Sequence, residues 1–160
     1  MLPHLHFEFA VTVSIVAGSF GLLAYWFRYT CLLFLSAKTA RDYAADVAVA
    51  NQLGFLNVQA RLRQGPVAEL DPLHKSLERD YSLITFLLNN AAPASLESEV
   101  QETLVELRML QMYYRVMGSW YRVSRTFSTD AARHALEQMS VVVEHFANVM
   151  GERAACASAA

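Results

Sequence analysis

Nineteen consecutive residues without a formal charge, FAVTVSIVAGSFGLLAYWF, lie between Glu8 and Arg28, and nine more pass after Arg28 before Lys38. A helix rises about 1.5 Å per residue, so a run of this length matches the roughly 30 Å hydrocarbon core of a bilayer. A backbone in lipid has to satisfy its own hydrogen bonds, which leaves a helix as the conformation for a single such segment. The run therefore predicts a transmembrane anchor over residues 1–37, leader included. The flanks argue against a removable signal peptide, because Met1 to Glu8 holds no Lys or Arg and Leu35 stands where a cleavage site before residue 38 needs a small residue.

Arg28, Lys38, Arg41, Arg61 and Arg63 all follow the apolar run, whereas the leader offers only His4, His6 and Glu8. Positive charge is retained on the cytoplasmic side, so the N-terminus is expected outside and the rest of the chain in the cytoplasm, attached to the cell membrane by one span. Tyr25, Trp26 and Tyr29 cluster around Arg28 as an interfacial belt does. Ser14, Gly18, Gly21 and Tyr25 recur at helical spacing and share a face on which three of four side chains are small. Helices in lipid associate by close packing, so this face predicts a contact with another transmembrane helix.

Beyond Lys38 the apolar spacing is helical and no alternation of strand type is sustained, so the fold class is all-α. Residues 38–64 read as one membrane-proximal helix continuing from the anchor, bent at Gly54 and stopped by Gly65-Pro66. Residues 65–153 read as a helical bundle. Asp71-Pro72 starts its first helix, with the stripe Leu70, Leu73, Leu77, Tyr81, Ile84, Leu88. Ser95 caps the next, which carries two apolar stripes: one through Leu96, Val100, Leu104, Leu107, Leu110, Tyr114, Met117 and Tyr121, the other through Val105, Met109, Met112, Val116, Trp120, Val123 and Phe127. Two stripes predict a broad buried face. Ser128 opens a last helix that Gly151 is placed to end, leaving 154–160 as a flexible tail.

Arg108, Arg115 and Arg122 recur every seven residues, as do Asp130, Glu137 and Glu144. The pairs 122/130, 115/137 and 108/144 are those an antiparallel hairpin turning near Thr126 brings together, as register-setting contacts of about 0–1 kcal/mol each.

Composition restricts the chemistry. With 13 Lys and Arg against 15 Asp and Glu, a formal charge of −2 and no basic block, the chain lacks a footprint for nucleic acid. Cys31 in the apolar run and Cys156 in AACASAA suggest no disulfide. His74, His134 and His145 lie on different stretches without a ligating spacing, and His4 and His6 on a terminus are too few for a metal site. No nucleophile elbow, P-loop or dinucleotide turn occurs. The charges of Glu78-Arg79-Asp80 are expected to point to solvent. No catalytic residue, metal, cofactor or small-molecule substrate is therefore expected.

The block from Met112 to Phe127 mixes Tyr, Trp, Met and Arg, the residue types enriched at interfaces, and nominates Tyr113, Trp120 and Tyr121 as a partner surface. These features predict a non-catalytic accessory or scaffolding subunit that contacts other membrane protein subunits and the lipid bilayer. A membrane-tethered adaptor is the competing expectation, and a haem-binding electron carrier a third.

Overall fold

The computed structural model describes residues 2–36, 42–65, 69–90 and 97–159, with side chains from 8–36, 42–65, 69–90 and 104–158. It contains six helices and no strand among the described residues: α1 (Leu2–Ser36), α2 (Ala44–Ala50), α3 (Phe55–Arg63), α4 (Asp71–Asn90), α5 (Glu97–Ser124) and α6 (Thr129–Ala159). They divide into two compact units, Met1–Ser36 and Ala37–Ala160.

In the first unit, α1 is long and apolar enough over Glu8–Ser36 to cross a bilayer, with a mean hydropathy of 1.7. Its serine and threonine hydroxyls are satisfied within the helix. Thr12, Ser14, Ser19 and Thr30 each donate to the carbonyl four residues earlier at 2.8–2.9 Å, and Ser36 donates to Leu33 O at 2.9 Å. These small hydroxyls therefore present no unsatisfied donor to an apolar surrounding. Tyr29 stacks on Tyr25 at 6.3 Å and meets Trp26 edge-on at 6.2 Å.

The second unit is built on α6, against which α2, α3, α4 and α5 all pack. Ala132, Ala135, Leu136, Met139, Val142, Val143, Phe146 and Ala147 are each at most 1% exposed. These positions recur at i, i+3, i+4 and i+7 and form one continuous apolar face of about 140°, which has to be covered. Small residues let the neighbouring backbones come close. At Gly151 a Cβ would fall 2.3 Å from the Cβ of Tyr43, whose N–H donates to Asn148 Oδ1 at 2.8 Å. Gly151 consequently lies inside α6 and serves close approach, where the sequence pattern had it ending the helix. The expected tail is helical through Ala159, consistent with the high helix propensity of alanine.

Residues 44–63 also differ from the single helix expected over 38–64. The chain breaks between Asn51 and Gly54, with Gln52 at a φ of +53°. The cause lies in α4: the buried Asp80 carboxylate accepts the Gly54 N–H at 2.7 Å and caps α3 from outside its own segment. A Cβ on Gly54 would meet Ser76 Oγ at 2.7 Å, so a larger residue there would have to displace that hydroxyl. Whether α1 runs on into this region, and the Ser95 cap, fall outside the described residues.

The α5–α6 turn closes at Ser128, whose N–H donates to Ser124 O at 2.7 Å and whose Oγ accepts from Ala131 N at 3.2 Å. Tyr113 meets Gln138 and Glu106 meets His145 across the two helices, so α5 and α6 run antiparallel, one residue away from the register proposed by the charge spacing. The charges themselves pair elsewhere. Arg122 bonds Glu78 at 3.2 Å, Glu137 takes Arg133 at 3.2 Å, and Glu144 accepts from Gln59 at 2.8 Å. The reason is α3, which folds back onto α6 and draws its acids away from α5; Arg133 donates to Leu62 O there as well.

Replacing Gly151 with Ala should destabilise the fold, because overpacking costs about 1–3 kcal/mol and exceeds the helix-propensity gain of about 1 kcal/mol. Asp80→Ala should cost about 1–3 kcal/mol by orphaning the Gly54 N–H, and Asp80→Asn, which keeps an acceptor, should cost less. Urea unfolding of the detergent-solubilised chain followed by circular dichroism measures each, with exposed Arg79→Ala as the near-neutral reference.

Candidate functional site

The two apolar stripes of α5 separate in the structure. Leu107, Leu110, Tyr114 and Tyr121 turn inward and are buried. Val105, Met112, Val116, Trp120, Val123 and Phe127 turn outward and are 43–64% exposed. The broad buried face expected from both stripes is thus half realised, since α5 meets the bundle along one face only. Trp120 and Phe127 lie edge to face at 6.1 Å, and Met112, Arg115, Val116, Ser119, Trp120 and Val123 line a shallow groove of about 440 Å³. Contiguous exposed apolar strips of this length are uncommon on surfaces that face water alone.

Of the three residues nominated for a partner surface, Trp120 lies on this strip, whereas Tyr113 and Tyr121 are 1% and 2% exposed and belong to the core. Their hydroxyls explain the placement: Tyr113 Oη donates to Gln138 Oε1 at 3.2 Å and Tyr121 Oη to Asp71 Oδ1 at 2.6 Å, so each ring is buried with its polar end partnered.

Tyr121 belongs to a polar and aromatic seam between α4 and α5. His74 stacks on it at 4.4 Å, Tyr81 stacks on Tyr114 at 3.8 Å, and Arg125 joins Asp71 at 2.8 Å. Of the three charges expected to face solvent, Arg79 does so, whereas Asp80 is buried and caps α3 and the half-buried Glu78 ties Arg122. Burial pushes the Asp80 carboxyl up, against the pull of the Gly54 and Phe55 N–H bonds, and it pushes the Tyr121 phenol up to about 12 with help from Asp71. A cleft of about 420 Å³ opens in this seam beside Glu78, Arg115 and Arg122. Arg122 bonds Glu78 there, and Arg115 hydrogen-bonds Tyr81.

The remaining nominated residues stay apart. On α1, a Cβ at Gly18 or Gly21 would meet nothing within 4 Å, Ser14 is bonded to its own helix, and Tyr25 is exposed, so the face is uncovered within the chain. His134 lies 3.6 Å from Glu137 and His145 lies 3.0 Å from Glu106. Among the described residues no three His, Cys, Asp or Glu side chains converge as a metal would require. Compared with protein-family models, curated proteins and solved structures, the chain matches none.

Burial lowers the pKa of His74, with Arg122 and Arg125 lowering it further and Glu78 and Asp71 opposing. A histidine whose folded pKa lies below its unfolded value of about 6.5 binds fewer protons when folded, so its contribution holds above that pH and is lost as the pH falls below it. Urea midpoints measured from about pH 7.5 down to pH 5 should drop, and His74→Phe, which keeps a ring on Tyr121, should flatten the decline.

Proposed function

We propose that this chain is a non-catalytic, single-span accessory or scaffolding subunit of a larger membrane assembly, acting through helix–helix contacts. The observation that carries the reading is the exposed apolar strip of α5, on a unit whose own core is already closed around α6. The span supports it with a second uncovered face, Ser14, Gly18, Gly21 and Tyr25, whose small residues admit a neighbouring transmembrane helix. The membrane-facing partners in this reading are the lipid bilayer around α1 and other subunits against both faces. The cations that follow the span put the N-terminus outside and the helical unit in the cytoplasm.

A membrane-tethered adaptor is the second reading. It is favoured by the burial of the α6 apolar face within Ala37–Ala160, which gives that unit a core of its own. The adaptor uses the same α5 strip to recruit a soluble protein and needs no partner within the membrane.

Gentle extraction from native membranes followed by identification of co-purifying proteins separates the two. Gly18→Leu should weaken association within the membrane, and Trp120→Ala should weaken it from the cytoplasmic side by about 2 kcal/mol or more. Retention of every partner by both variants at normal expression refutes the subunit reading, and loss only with Trp120→Ala selects the adaptor. An impermeant thiol reagent should reach exposed Cys156 only after lysis; labelling in intact cells reverses the orientation.

A further inference from the structure

The outward face of α5 follows a seven-residue repeat. Met109, Val116 and Val123 recur at heptad spacing, and so do Val105, Met112 and Ser119, set four residues before them. Together they form the alternating seam of a coiled coil, with the first set at a and the second at d. In that frame Arg108, Arg115 and Arg122 all occupy g, beside the seam, and all three are exposed. The groove has the matching form. Met112, Arg115, Val116 and Ser119 are spaced i, i+3, i+4, i+7, and so are Val116, Ser119, Trp120 and Val123, so its six lining residues make two successive sockets of the kind that each receive one side chain of a facing helix.

We infer that the outward face of α5 is one half of a heterotypic coiled coil, and that its occupant is a partner helix with an apolar seam flanked by a row of Asp or Glu. This rests on the reading of the α5 strip as a protein contact and names the partner's chemistry. A second copy of the chain lacks the complement: an antiparallel pair sets the arginine row against its twin, and a parallel pair sets it against Tyr113, Trp120 and Phe127, with no acid in either case. A lipid surface has no side chains to fill the sockets. The e row facing the other side of the seam carries no cation, so only one edge is basic. Arg122 also bonds Glu78 and Arg115 hydrogen-bonds Tyr81, so Arg108 is the cation the partner meets first and the other two reach it from positions shared with α4.

The test uses the full chain in neutral detergent with Trp26→Phe, so that Trp120 is the sole indole. Two synthetic peptides of about four heptads, with Leu at a and d and either Glu or Lys at e and g, repel their own copies and differ only in the sign of their charge. Titration is followed by Trp120 emission and by anisotropy of the labelled peptide. The Glu peptide should bind at least tenfold more tightly than the Lys peptide at low salt, the gap should narrow as salt is added, and Arg108→Glu with Arg115→Glu should reverse the order. Arg108→Glu alone, at an exposed position, should shift it part-way with the helical signal unchanged. Equal binding of both peptides, binding of neither, or an order that survives the reversal overturns the inference. A Trp120 shift without peptide overturns it too, assigning the face to a second copy if it grows with chain concentration and to the membrane surface if it follows added anionic phospholipid. In native membranes, partners kept by the double reversal but lost with Val116→Asp leave the subunit reading standing without the acidic helix. Partners kept by both variants remove the subunit reading itself.

Discussion

The continuous apolar face of α6 is the constraint from which the rest of the helical unit follows. A face on which every central side chain is apolar cannot lie against water, so the chain has to supply neighbours for it, and it does so with four segments from before it in sequence. Two of these are short, and α2 and α3 could not persist as isolated helices of seven and nine residues. They are held by what they meet: Gly151 admits Tyr43 ahead of α2, and Asp80 supplies the cap that α3 lacks within its own segment.

The same packing leaves α5 with surface to spare. With α2, α3 and α4 also packed on α6, α5 meets the bundle through its inner stripe and a polar seam to α4, and its outer stripe remains uncovered. Burying a side chain of this size contributes about 1.5–3 kcal/mol, so six exposed on one strip represent a large reserve of association energy. Their heptad spacing and single basic edge turn that reserve into a specific demand on the partner's shape and charge.

Long periodic elements were legible in the sequence. The apolar run, the α4 stripe, both α5 stripes and the Ser128 start all appear as helical features in the structure. What escaped was tertiary in origin. The break at Asn51–Gly54 is imposed by Asp80, 26 residues away, and Gly151 resembles a helix terminator until Tyr43 is seen against it. Tyr113 and Tyr121 have the composition of an interface but are withdrawn by partners on α6 and α4, Gln138 and Asp71. The charge periods on the last two helices correctly suggested that these run antiparallel, while the back-folding of α3 redirected Glu137 and Glu144. The heptad frame of α5 was present throughout in the recurrence of Arg108, Arg115 and Arg122. It became interpretable once burial separated the inner stripe from the outer.

Accessibility of the α5 strip in its native setting tests this account most directly. With Val116→Cys introduced alongside Cys31→Ser, a membrane-permeant maleimide reports on position 116 while exposed Cys156 serves as the internal reference. The account predicts that position 116 is protected relative to Cys156 in native membranes and becomes as reactive once the chain is purified from its partners. Equal labelling of both positions before and after purification would contradict it, because the strip would then face solvent in the cell.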